Sequence, residues 1–146
     1  MSKVIMDMAN GVASLSDSLD MATDDYARAV SNADALRSTV TEAKADFISV
    51  SSEVIYEATI LSRGKSGDGP LSGIAASNTA AMKAAHQHVV NSSPDCRKLR
   101  DEIDDLSNQH SSAEAATQQA LQRMRSLRTR LEAESIVLAA IANVSK

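Results

Sequence analysis

The sequence predicts an all-α fold: a long antiparallel helical hairpin, packed as a coiled coil, with a short third helix at its tip. Three observations predict it. Apolar residues recur at alternating three- and four-residue spacings for about eight heptads in the first part of the chain, far beyond an ordinary surface helix. A second long segment repeats the pattern, and a glycine-rich stretch separates the two. Tyr26, Phe47 and Tyr56 are the only aromatic residues, and tryptophan is absent. Deep cores draw much of their buried area from aromatic rings, whereas a thin seam of Leu, Val, Ile and Ala needs none.

The first helix is expected over about residues 3–62. Ile5, Val12, Leu19, Tyr26, Ala33, Val40, Phe47, Val54 and Leu61 occupy one heptad position, a. Met8, Leu15, Ala22, Ala29, Leu36, Ala43 and Val50 fall three residues later, at d, and Glu57 alone breaks the series. A strict seven-residue apolar repeat makes paired helices supercoil to keep the seam facing inward. Asn10-Gly11 is a turn signal inside this run, so the first turns read as a separable piece. Arg63 to Pro70 (RGKSGDGP) is a helix stop and a loop.

A second helix is expected over about 71–91, with Ile74, Met82, Ala85 and Val89 on one side. Ser93-Pro94-Asp95 then supplies a capping residue, a proline at the first helical position and an acid in the first turn. The third helix follows over about 94–144. Its a positions are Ile103, His110, Thr117, Met124, Leu131 and Leu138; its d positions are Leu99, Leu106, Ala113, Ala120, Leu127 and Ile141, with Glu134 the exception. The whole chain, 1–146, reads as one elongated helical domain. Two arrangements of the second helix fit. It either folds back into a three-helix tip, or continues into the third as a proline-kinked arm with a different register, since the frame runs through Leu71, Ala75, Met82, Ala85, Val89, Cys96 and Leu99.

Antiparallel pairing sets a against d. Partners whose numbers add to about 146 bring Leu15 to Leu131, Leu19 to Leu127, Ala22 to Met124, Tyr26 to Ala120 and Phe47 to Leu99. Large residues then meet small ones, which fills a seam without voids. The same register places Arg123 near Asp25, but also Glu102 near Asp46 and Arg100 near Lys44, so the charges support it only in part.

Composition narrows the function classes. The net charge of -4 disfavours a dedicated nucleic-acid binder, which carries a basic excess. A lone cysteine, Cys96, makes no internal disulfide. No stretch reaches the roughly 18 apolar residues of a membrane span, and the N-terminus lacks a signal-peptide core. Synthesis in the cytoplasm is expected, with packaging into a virion or a specialised secretion route as alternatives.

Candidate chemistry is sparse. Arg63-Gly64-Lys65-Ser66 has the letters of a phosphate loop's tail, but Thr59 stands where the first glycine belongs. His86 and His88 are two apart on a helix and point to different faces; His110 is alone at an a position, where a polar residue fixes register or oligomer state. Asp101, Glu102, Asp104 and Asp105 spread around a helix near its start and read as a solvated face. No catalytic, metal or cofactor constellation is expected, and the chain reads as a non-enzyme. Arg123, Arg125, Arg128 and Arg130 are the basic run; without adjacent aromatics it is a poor single-strand platform, though phosphate contact through Arg123–Arg130 is open to it.

The apolar residues displaced from the seam ask for a protein partner. Ile55, Ile60, Leu121, Ile136 and Val137, with Arg123 and Arg130, are the expected interaction residues. The sequence therefore favours a structural or assembly component that self-associates or joins a larger complex, such as a virion, secretion apparatus or scaffold. The alternative is a small helical protein that docks on a partner and inhibits or adapts it, with the second helix and the 63–70 loop as its recognition end.

Overall fold

The computed structural model describes residues 2–63, 69–75 and 77–144. Among them lie three helices: α1 (Ser2–Arg63), α2 (Thr79–Ser92) and α3 (Pro94–Val144). The described residues contain no strand, and α1 packs against α3. The chain divides into two compact units, Met1–Ala35 with His110–Lys146, and Leu36–Gln109.

In the first unit the inward residues are the predicted ones. Along α1 the repeat Ile5, Met8, Val12, Leu15, Leu19, Ala22, Tyr26, Ala29 and Ala33 is buried or half-buried while its neighbours are mostly exposed. Along α3 the same is true of His110, Ala113, Thr117, Ala120, Met124, Leu127, Leu131, Leu138 and Ile141. The two segments run antiparallel. Arg123 Nη1 lies 3.9 Å from Asp25 Oδ2, and a Cβ built on Gly11 would lie 3.9 Å from Glu134 Oε2. Residue 25 with 123, and 11 with 134, are the pairings that the expected register requires to within two residues.

The Asn10-Gly11 turn does not form. α1 runs through it unbroken, because a helix that buries one apolar residue per turn on both sides outweighs the modest cost of one glycine, about 1 kcal/mol.

In the second unit, Cys96 is fully buried, its Sγ 3.8 Å from Ser51 Oγ. Arg100 lays its guanidinium 5.6 Å from the centroid of the Phe47 ring and donates from Nη2 to Asn91 Oδ1 at 2.9 Å. Farther along α1, Ala58 packs with Leu71 and Val89, flanked by Val54, Met82 and Ala85. At the helix end Leu71 N–H donates to Ser62 Oγ at 3.0 Å. Successive α1 positions thus meet partners of steadily falling number, from Cys96 back to Leu71. α2 therefore runs along α1 in the direction set by α3, instead of folding into a three-helix tip. The different register expected with a kinked arm is not adopted, since Ser51 with Cys96 and Phe47 with Arg100 keep the expected α1–α3 pairing. Ser93, extended and with its N–H on Val90 O, is the joint.

Two expectations need correction here. α2 begins at Thr79, not Leu71. Leu71 is instead buried within paired turns: Ser72 N–H donates to Gly69 O and Ile74 N–H to Leu71 O. Pro70 sits at the second place of the first turn, and Gly73, at φ 75°, supplies the left-handed third place of the second. The helix then starts where Asn78 Oδ1 accepts from Ala81 N–H, a side-chain cap on its first turn.

The seam also leaves the strict heptad at the end of α1. Leu61, expected at an a position, is 62% exposed, while Ala58 is 5% exposed. Glu57 stands where the next d residue should be, and a carboxylate is costly to bury. The contact line steps from Val54 to Ala58 to Ser62, four residues at a time. A four-residue step of this kind is a stutter, which locally unwinds the supercoil.

Candidate functional site

The interaction residues expected from the sequence fall into both units. In the second unit Ile55 is half-buried and lines a shallow groove of about 360 Å³ with Thr79, Met82, Lys83, His86, Gln87 and Val90. Ile60 is exposed and does not join it. A neighbouring groove of about 440 Å³ is bounded by Thr59, Ser62, Leu71, Gly73, Ile74 and Met82. The second groove opens where the 69–75 turns lie against the end of α1, with Leu71 as their buried side chain.

In the first unit, Leu121 is half-buried, whereas Ile136 and Val137 are exposed, Ile136 by 70%. Val137 lines an apolar groove of about 490 Å³ with Val4, Met8, Gly11, Val12 and Ala133, edged by Asp7 and Glu134. The groove exists because Gly11 has no side chain to fill the space between the two helices. Val4, Met6, Met21 and Val144 are also exposed in this unit. Met6, Met21 and Val144 were not singled out from the sequence, although all three lie off the a/d frame and could have been found by that criterion; Val4, expected to be covered by the 136–141 stretch of α3, is left exposed.

The arginine run is tied to the shaft loosely. Arg123 pairs with Asp25 across the two helices, and Arg130 Nε donates to Glu134 Oε1 at 3.0 Å along its own helix. Asp25 also lies 3.7 Å from Arg28 Nη2. Each of these side chains is about half or more exposed, Glu134 excepted, so each pair is worth at most about 1 kcal/mol.

His110 is 18% exposed in its side chain, and Glu114 Oε1 is 3.7 Å from its Nε2. That nitrogen is buried and makes no hydrogen bond among the described residues. A polar ring held this way in a seam restricts register. No group of three His, Cys, Asp or Glu side chains placed to hold a metal ion occurs among the described residues. Arg63-Gly64-Lys65-Ser66 lies, after Arg63, outside the described residues. No helix among those described is long and apolar enough to cross a membrane. No protein-family model, curated protein or solved structure matches the chain.

Proposed function

We propose that this chain is a non-enzymatic structural or assembly protein: a coiled-coil component that associates with copies of itself or with a larger complex such as a virion, secretion apparatus or scaffold. The observation that carries the reading is the apolar surface left open. Ile48, Ile60, Ile136 and Val137 all project to solvent from helices whose seams are already filled. Synthesis in the cytoplasm is part of the proposal.

Absolute mass by light scattering over a hundredfold range of concentration tests it. A stable oligomer, or mass rising with concentration, supports assembly. A constant monomer mass rejects self-association.

A second reading is favoured by the grooves of the second unit. A small helical adaptor or inhibitor would use the groove beside Ile55, Met82 and Val90 to take one apolar helix of a partner. It predicts a monomer whose partner binding is lost on Ile55→Asp. Phosphate contact through Arg123–Arg130 is a third reading. It predicts nucleic-acid binding that weakens steeply with salt.

A further inference from the structure

Charge is divided unevenly along the chain. Between Glu57 and Asp95 the sequence carries one acid, Asp68, against Arg63, Lys65, Lys83 and two histidines, although the net charge of the whole is -4. α2 contains no carboxylate, and neither do the turns at 69–75. Glu53 and Glu57 are the last acids of α1. Helical phase sets them on the opposite flank of the Val54–Ala58–Ser62 contact line from Ile55, Thr59 and Arg63.

The two grooves of the second unit lie in this basic stretch and share a wall, since Met82 and His86 line both. On α1 their border is Ile55, Thr59 and Arg63, four residues apart and so on one face. On α2 it is Thr79, Lys83, His86 and Val90, spaced four, three and four. From Thr79 to Val90 is about 16 Å at the helical rise, three turns of a helix. The apolar part of the lining is Ile55, Leu71, Ile74, Met82 and Val90, with Arg63, Lys83 and His86 around it. Neither groove has a carboxylate among its described lining residues. The side chains of Arg63, Lys83 and His86 make no ion pair among the described residues. No Phe, Tyr or Trp offers a stacking platform for bases there.

We propose that this trough takes an acidic amphipathic helix of a partner protein, its apolar face over Ile55, Met82 and Val90 and its carboxylates toward Arg63, Lys83 and His86. The proposal rests on the adaptor reading and specifies the charge of the partner. Apolar anchors spaced three and four apart hold such a helix in a groove, and charge complementarity around them selects which helices enter and speeds their encounter. A basic helix meets three cationic or protonatable side chains with no acid beside them, and is rejected.

Fluorescence anisotropy of the full chain with labelled helical peptides of three to four turns tests it. Each peptide has leucines spaced three and four apart on one face. The remaining positions are glutamate and alanine in one peptide, lysine and alanine in the other. The glutamate peptide should bind about tenfold or more tighter than the lysine peptide, and less tightly as salt is raised. Replacing its leucines by serine should abolish binding. Arg63→Glu with Lys83→Glu changes two exposed side chains and should reverse the preference, with circular dichroism checking that helicity is retained. Equal binding of the two peptides, lost for both on Ile55→Asp, would overturn the charge selection while sparing the adaptor reading. Binding of neither would overturn both. A wild-type oligomer that the double variant dissociates would make the occupant a second copy, and would overturn the proposal as well.

Discussion

The stutter at the end of α1 can be tested by exchanging the two residues it distinguishes. In an unbroken heptad Leu61 would fill the seam, and Leu61→Ala would cost the 2–5 kcal/mol or so of a core truncation. The structure leaves Leu61 62% exposed, so little more than a third of its side chain is out of water. A fully buried leucine contributes about 1.5–3 kcal/mol; a third of that is about 0.5–1 kcal/mol, less a few tenths regained because alanine is the better helix former. Ala58 reverses the expectation. It is enclosed by Leu71, Val89, Val54, Met82 and Ala85, and Ala58→Leu adds three carbons where there is little room. Overpacking of that kind costs about 1–3 kcal/mol. Urea unfolding followed by circular dichroism measures both, and hydrogen exchange across 50–63 localises the loss. A costly Leu61→Ala together with a tolerated Ala58→Leu would refute the stutter and restore the strict heptad through Leu61.

Other outcomes follow from single contacts. Gly69→Ala should loosen the turn segment, since a Cβ there would lie 2.6 Å from the Ser62 backbone nitrogen; amides of 69–74 should then exchange faster while those of α3 do not. Cys96 is fully buried, so a thiol reagent should label it slowly in the native protein and at the free-thiol rate in denaturant; fast native labelling would contradict its packing against Ser51. Cysteines introduced at Leu15 and Leu131, with Cys96→Ser, should oxidise to an intramolecular disulfide, and failure to cross-link would count against the register. Leu15→Ala removes a buried seam leucine and should cost about 2–4 kcal/mol in the same urea assay.

The long helices were legible because their signal is periodic and repeated. The a and d residues of α1 up to Val54, and those of α3, are the ones turned inward, and the strong Ser93-Pro94-Asp95 start coincides with the first turn of α3. The Arg123–Asp25 pair was legible from the register alone. What failed was local. Leu71 looked helical because it is apolar and in frame, yet its burial is achieved by two turns hydrogen-bonded through Gly69, Ser62 and Gly73. Such turns are set by contacts across to α1 that no window of sequence contains. Asn10-Gly11 erred in the opposite sense: a good local turn signal was overridden by seam packing on both sides. Among the interaction residues, the frame identified Ile136 and Val137 as displaced, but it did not show that Val137 lines a groove with Val4 and Gly11, because that requires the antiparallel partner.

The seam itself explains why an open apolar face matters. Its most buried members include Ala22, Ala33, Ala43, Ala58 and Ala113, and among the described residues no fully buried side chain is larger than that of Cys96. An alanine removes little area from water compared with a leucine or isoleucine, at about 25 cal/mol per Å². Small seam residues let the helices approach closely but bury less area, and ordering each residue still costs about 1–2 kcal/mol of backbone entropy. Large side chains that would improve the balance are present, but Ile48, Ile60, Met21, Ile136 and Val144 point outward. The proposed association would bury those residues and add stabilisation to helices already formed. Stability should therefore depend on concentration, rising with mass action as any ligand-linked fold does. Thermal unfolding at two protein concentrations about a hundredfold apart should give a higher midpoint for the more concentrated sample. Identical midpoints would mean that the small-residue seam is sufficient by itself and that the outward apolar residues add nothing to stability.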